Sequence, residues 1–263
     1  MKPIISSRRN HEIKTLYSLR KQKERRKQGL FLIDGVLPLR QALESSLKIK
    51  KIYFTEEKIN VSLNQLAKKQ NIPLQPITNS VNEKITYGNR KDGYTAIAHI
   101  PDLSVSSLQL TKNPLIILSE SLEKPGNIGA IIRSAEAAGA NLHIAASPIT
   151  DIYNPNIIRN SRGAIFRLKQ AVLSSEEAKE WFKKNQIKVF AARPGNGPNY
   201  TEADFTGPTA ILIGNEHSGL SSVWKDVPSI QIRMKGTTDS LNAAQSATLL
   251  LFEALRQRDS IHS

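Results

Sequence analysis

The sequence predicts an α/β protein of two domains, and three observations carry the prediction. Apolar strand-like runs alternate with helical patterns along most of the chain, the arrangement of βα units. A polar, proline-flanked stretch near the middle interrupts that alternation. The 263 residues exceed one ordinary core of roughly 100–150 residues and fall short of three.

The chain starts basic, with ten Lys or Arg and two Glu in residues 1–30. From Arg8 to Gln28 the spacing of Ile13, Leu16, Tyr17 and Leu19 predicts one amphipathic helix, whose other faces carry Arg20, Lys21, Lys23, Arg25, Arg26 and Lys27. A strand LFLIDG (30–35), a helix from about Leu37 to Ser46, a strand KIYFT (51–55) and a helix near Asn60 to Gln70 follow. The segment PLQPIT, a short helix after Asn79 and the strand YTAIAHI (94–100) complete the first unit. PDLSVSSLQLTKN (101–113) reads as a connection. The expected organisation is a smaller domain at 1–105, a linker at 106–113 and a larger domain at 114–263.

Beyond the linker, PLIILSE, NLHIAAS, KVFAAR, TAILIGNE and SIQIRM read as strands, separated by helical patterns near 127–139, 154–163, 174–185 and 240–258. Such alternation implies a parallel sheet covered on both faces. The last helix is apolar nearly all round, at Ala243, Ala244, Ala247, Leu249, Leu250, Leu251, Phe252, Ala254 and Leu255, and is expected to be buried on every side, centrally or at a subunit interface.

Composition narrows the function. The formal charge of +14, from 37 Lys+Arg against 23 Asp+Glu, favours a polyanionic partner, with nucleic acid first among them. Arg8, Arg9, Lys21, Arg25 and Arg26 in the basic N-terminal segment are the expected nucleic-acid contacts outside the larger domain. Zero cysteines exclude a disulfide framework, a thiolate nucleophile and Cys-based metal sites, and five scattered histidines do not suggest a metal cofactor. No apolar stretch approaches the roughly 20 residues of a bilayer span. The N-terminus MKPIISSRRNHEIK lacks the charged-then-apolar pattern of a secretion signal, so a soluble cytoplasmic protein is expected.

Three segments of the larger domain place glycine, asparagine and charge at strand ends, where open parallel sheets bind ligands. In ILSESLEKPGNIGAIIRSAEAAGA, Pro125, Gly126 and Asn127 turn into a helix beginning near Ile128 that carries Arg133, and a helix N-terminus with an arginine can receive a phosphate. Read alone, Arg133 is equally a surface arginine and Asn127 a helix cap. In ILIGNEHSGLS (211–221) a strand runs into Gly214, Asn215, Glu216 and Gly219, a ligand-contacting loop or an ordinary turn. In IQIRMKGTTDSLNAAQSATLLLFEA, Ser240, Leu241 and Asn242 open the last helix, where Ser240 could be an N-cap.

In order and combination these segments resemble the three motifs of the SpoU branch of the SPOUT superfamily of RNA methyltransferases. The first motif ends Asn-x-Gly-x-x-x-Arg, here Asn127 to Arg133. The second is Gly214-Asn-Glu216 followed by Gly219-Leu220, and the third is Ser240-Leu241-Asn242 opening a long apolar helix. The N-terminal 100 residues resemble the small, ribosomal-protein-like substrate-binding domain that often precedes the catalytic one. Lys124 departs from the Asp frequent before the first-motif proline, and Glu-Lys-Pro-Gly-Asn looks like the subgroup containing antibiotic-resistance ribosomal RNA methyltransferases.

The resemblance implies transfer of a methyl group from S-adenosyl-L-methionine (AdoMet) to a ribose 2′-hydroxyl, with large-subunit ribosomal RNA the first expected substrate and transfer RNA the second. It further implies a C-terminal trefoil knot forming the AdoMet pocket from Ile213, Gly214, Asn215, Gly219, Ile232, Met234, Ser240, Leu241 and Asn242. Arg133 is then the catalytic candidate, gripping phosphate and stabilising the developing alkoxide, with Asn127, Glu216, Ser240 and Asn242 positioning it. Arginine holds its proton too firmly to serve as a general base. A homodimer is expected, with Arg133 and the AdoMet pocket of one site coming from different subunits. The rivals fit less well: the chain has neither G-x-G-x-x-G nor G-x-x-x-x-G-K-[ST], and a non-catalytic RNA-binding ribosome-assembly factor leaves the three motifs without a role. Calorimetry with AdoMet separates that last reading from an enzyme.

Overall fold

The structure, a computed structural model, describes residues 3–87, 92–106, 108–195 and 197–260. Its contacts define two compact units, Met1–Asp102 with Tyr153–Arg167, and Leu103–Ile152 with Leu168–Ser263. Two segments therefore sit apart from the contiguous boundaries read from the sequence. Residues 103–105 belong to the second unit, and 153–167 belong to the first although 114–263 reads as one domain. The expected linker is packed at Leu108 and Leu110, which lie with Val105 just before it on the second unit's core, and the Leu103 carbonyl accepts a hydrogen bond from the Val172 amide at 2.9 Å.

The N-terminal basic segment forms two helices instead of one, α1 (His11–Ser18) and α2 (Gln22–Gln28). The break has a visible agent. Lys21 is extended, and Arg25, only 1% exposed, donates from Nη1 to the Leu19 and Arg20 carbonyls at 2.8 and 2.9 Å, satisfying acceptors released at the end of α1. Arg25 is thus corrected from an RNA contact to an internal cap; Arg8, Arg9, Lys21 and Arg26 are exposed. QKERRKQ contains no apolar residue, so hydrophobic spacing could not reveal the restart. Gly29, at φ 62°, ends α2 in the left-handed conformation that glycine adopts without strain.

The chain continues through β1 (Leu30–Asp34), α3 (Val36–Leu43), β2 (Ile49–Thr55), α4 (Val61–Lys69), β3 (Leu74–Ile77), α5 (Asn79–Ile85) and β4 (Tyr94–His99). The sheet order is β1-β4-β2-β3, with β2 and β3 parallel and the other pairs antiparallel. Strand alternation splits β1 between two faces. Leu30 and Leu32 join Ile13, Leu16 and Leu19 in one core, while Phe31 stacks on Tyr153, with ring centroids 4.2 Å apart, and on Phe166.

The second unit comprises β5 (Leu115–Glu120), α6 (Pro125–Ala137), β6 (Leu142–Ala146), β7 (Lys169–Leu173), α8 (Ser175–Lys184), β8 (Lys188–Ala192), β9 (Thr209–Ile213), β10 (Ser229–Ile230) and α9 (Ala243–Asp259), while α7 (Pro155–Asn160) lies in the segment that joins the first. Its six strands are all parallel, in the order β10-β8-β9-β5-β6-β7. Burial explains their apolar runs: every residue of β5, β6 and β9 is buried. β7 goes unread in the sequence because KQAVL is short and polar at its start. Its buried Gln170 accepts from His143 Nδ1 at 2.8 Å, and Nε2 of the same ring accepts from Ser119 Oγ at 2.8 Å.

Only Ser229 and Ile230 of SIQIRM pair in the sheet, and Gln231 beyond them forms an isolated parallel bridge with Asn199. The helix read from Ile128 begins at Pro125, which puts Asn127 inside its first turn and not at its cap. α9 packs on α6, β9 and β5 through Ala247, Leu250, Leu251 and Ala254, but Leu249 and Phe252 are 40% and 45% exposed, so it is not buried on every side. Among the described residues no helix is long and apolar enough to cross a membrane.

Candidate functional site

In the second unit, a cavity of about 320 Å³ opens where β8, β9 and β10 end. That lies at the lower bound of the roughly 300–1,000 Å³ typical of small-molecule sites, and the carboxyl ends of parallel strands are where such sheets bind ligands. Ile213, Gly214, Asn215, Glu216 and Gly219 line it from the β9 side. Ile232, Met234, Ser240, Leu241 and Asn242 line it from the segment between β10 and α9. All nine residues expected to hold a cofactor therefore meet around one space, joined by Glu216.

The β9 wall is a tight turn built for a backbone surface. Asn215 and Gly219 exchange amide-to-carbonyl hydrogen bonds, both at 3.0 Å. Asn215 Oδ1 accepts from the His217 and Ser218 amides at 2.9 and 3.1 Å, and its Nδ2 donates to the Ser121 carbonyl at 2.9 Å. The Asn215 side chain is thereby committed to holding the turn in place. Gly214 is required by contact: a Cβ there would lie 2.4 Å from the Gly219 carbonyl carbon and the Leu220 nitrogen.

The three motif segments are tied together at the cavity rim. Asn127 Nδ2 donates to Glu216 Oε1, and Asn242 Nδ2 donates to Asn127 Oδ1 at 3.2 Å. Asn242, and not Ser240, is the N-cap of α9, with Oδ1 accepting from the Ala244 amide at 2.9 Å and a capping box completed by Gln245. Ser240 is exposed on the cavity wall. Asn127 bridges two wall residues without lining the wall itself.

Arg133 does not line this cavity. It is exposed on α6, six residues beyond Asn127, which on an α-helix is about 9 Å along the axis and roughly 120° around it. The expected pairing of Arg133 with the cavity is therefore not made within one chain.

Two residues that the sequence reading did not assign support the site. Glu120, buried at the end of β5, accepts from Ser175 Oγ, Ser221 Oγ (2.8 Å), the Ser221 amide (2.7 Å) and Trp224 Nε1 (2.8 Å), anchoring the chain that follows the Gly214–Gly219 turn. Arg193, just past β8, lines the cavity and donates to Ser229 Oγ at 2.6 Å and the Trp224 carbonyl at 2.7 Å, which fixes the β10 side. A charge closing an apolar strand, as in IILSE and VFAAR, is the signal that marks both. Lys124, noted as a departure from the motif, lies at the cavity too. Among the described residues no group of three or more His, Asp or Glu could hold a metal ion. The mixed apolar and polar lining fits a molecule with an aromatic base and a charged tail, as AdoMet has.

Comparison with known proteins finds relatives over most of the chain. Residues 114–252 match the SpoU rRNA Methylase family, and residues 10–96 match the MRM3-like substrate binding domain. Relatives include a 23S rRNA (uridine(2479)-2′-O)-methyltransferase of Streptomyces viridochromogenes, 31% identical over 90% of this chain and 86% of its own. Another is the 23S rRNA (guanosine(2553)-2′-O)-methyltransferase RlmP of Bacillus subtilis, 25% identical over 94% and 97%. Among solved structures, an RNA 2′-O ribose methyltransferase superposes with a TM-score of 0.84 at 35% identity, covering 97% of this chain and 99% of that one. The SpoU methyltransferase AviRb of Streptomyces viridochromogenes in complex with AdoMet gives 0.87 at 28% identity, covering 95% and 100%.

Proposed function

Because this chain belongs to the SpoU rRNA methylase family, we propose that it methylates a ribose 2′-hydroxyl of large-subunit ribosomal RNA using AdoMet, as a cytoplasmic homodimer. The observation that carries the proposal is the meeting of the three motif segments, through Glu216, Asn127 and Asn242, at the rim of one cavity.

Bound AdoMet supplies an electrophilic methyl group, so the protein's task is alignment and proton management. The backbone at Gly214 and Gly219, with Ile232, Met234 and Leu241, holds the cofactor. Glu216 and Asn242 fix Asn127, and through it the first turn of α6 and the course of the helix that carries Arg133. Arg133 grips the substrate phosphate and stabilises charge developing on the 2′-oxygen, whose proton passes to water as the ether forms. Ser240, exposed on the wall, orients the hydroxyl.

Two observations support a dimer in which Arg133 serves the partner's cavity. Arg133 lies outside the cavity of its own chain, and Leu249 and Phe252 expose an apolar stripe on α9, which packs on α6. The trefoil-knotted path implied by the motif resemblance belongs to the same proposal, since α9 lies against β9 and β5 close to the cavity.

The test is labelled methyl transfer from AdoMet to large-subunit ribosomal RNA and to transfer RNA, followed by mapping of the product. RNA with deoxyribose at the mapped position should bind nearly normally and accept no label. Label on the deoxy substrate would show base methylation and overturn the assignment.

A further inference from the structure

Tyr17 on α1 is a large aromatic side chain left 45% exposed, in a part of the chain dominated by cations. Its ring is flanked rather than bare. The Arg20 guanidinium lies 5.2 Å from its centroid and the Lys84 ammonium 5.6 Å. Arg20 also lies 5.0 Å from the Tyr87 ring, so one planar cation is held by two aromatic faces. Lys84 is fixed in turn, donating to the Arg8 carbonyl at 2.7 Å. A small crevice beside this group is lined by Arg20, Tyr87 and the exposed Arg159 of α7, all within the first unit. Asp34, the acidic residue of the crevice, accepts from the Thr95 hydroxyl at 3.0 Å and from the Tyr87 amide.

An exposed ring ordered by cations, beside a crevice that Arg20 shares with Arg159, matches what an unpaired nucleotide requires. A base stacks on an aromatic face whatever its sequence, and its phosphate takes a guanidinium. A core role would have buried Tyr17, as it buries Ile13 and Leu16 on the same helix. We propose that Tyr17, with Arg20, Lys84 and Arg159, forms a platform that stacks one unpaired RNA base and holds its phosphate. The platform rests on the RNA-methylating reading and adds to it: the substrate must present a loop, bulge or single-stranded end to the first unit.

The experiment measures binding of a fluorescein-labelled, mixed-sequence single-stranded RNA oligonucleotide, across a salt series, to the full chain and its variants. Tyr17→Ala should weaken binding roughly 5- to 150-fold, the loss expected for one base stack, with an unchanged salt slope. Tyr17→Phe keeps the ring and should bind like the wild type. Arg159→Ala should weaken binding and lower the salt slope by about one. AdoMet calorimetry on each variant confirms that the second unit is intact. Equal binding by Tyr17→Ala and the wild type, equal losses for Tyr17→Ala and Tyr17→Phe, or no binding of the oligonucleotide by the wild type would each overturn the platform. Wild-type methyl transfer is measured in parallel: if it is present while Tyr17→Ala binds normally, the platform alone fails, and if it is absent from every RNA, the enzymatic reading fails.

Discussion

Replacing Gly214 with alanine tests the cavity wall at its tightest point. The added Cβ would sit 2.4 Å from two backbone atoms of the Gly219–Leu220 link, where about 3.4 Å or more is ordinary contact. Gly214 is not among the positive-φ glycines, so the effect is contact and not backbone strain. Relief requires the turn to open by about 1 Å, which loses the two Asn215–Gly219 hydrogen bonds. At about 0.5–1.5 kcal/mol each, the closed turn becomes roughly 1–3 kcal/mol less favourable. If the cofactor needs the closed turn, AdoMet affinity falls by roughly 5- to 150-fold. Gly207→Ala is the control, because its Cβ would meet nothing within 4 Å. Isothermal calorimetry with AdoMet on both variants gives the answer. Affinity within twofold of wild type for Gly214→Ala would refute the claim that this turn is a cofactor wall.

Arg133→Ala should abolish methyl transfer while leaving AdoMet affinity unchanged, since the side chain is outside the cavity; retained transfer removes Arg133 from the mechanism. If the site is shared between subunits, mixing inactive Arg133→Ala with Gly214→Ala, at an AdoMet concentration too low to fill the weakened pocket, should restore part of the activity through heterodimers, and no recovery after verified subunit exchange would place each site in one chain. Phe252→Glu should shift sedimentation toward the monomer, by placing a charge on the exposed stripe of α9, and an unchanged dimer would exclude that face. Burial lowers the His143 pKa from 6.5 to about 4, so the folded protein keeps the ring neutral while the unfolded chain takes up a proton as pH falls through that window. His143 should therefore make the protein about 2 kcal/mol less stable near pH 5 than near pH 7, and His143→Gln should show correspondingly shallower pH dependence in denaturant titrations. Parallel pH profiles for the two proteins would disprove it.

The fold class was legible because the central strands of the second unit, β5, β6 and β9, are buried throughout, and burial writes itself as runs such as LIIL and AILI. What escaped reading depends on partners distant in sequence. Gln170 is tolerated inside β7 only because His143 and the Leu168 carbonyl satisfy its amide, and no local pattern encodes that. Arg25 looked like another surface cation because its spacing resembles that of Arg26, yet it turns inward to two carbonyls. The residues lining the cavity were those that the motif resemblance implies. The bridge from Glu216 through Asn127 to Asn242 was not, since it joins positions 89 and 115 residues apart.

Phe31 and its late partners impose an order on synthesis. Tyr153 and Phe166 cover one face of β1, yet they leave the ribosome only after β5, α6 and β6 have been made. At roughly 5–20 residues per second the nascent N-terminal sheet waits several seconds with an uncovered aromatic on that face. The usual sequence, in which the first domain finishes before the second begins, is closed to this chain. For the same reason no single proteolytic cut can release either unit whole. Cleavage near Asn113 leaves Tyr153 and Phe166 attached to the C-terminal fragment and parted from Phe31, so both fragments would expose apolar rings and be prone to clump.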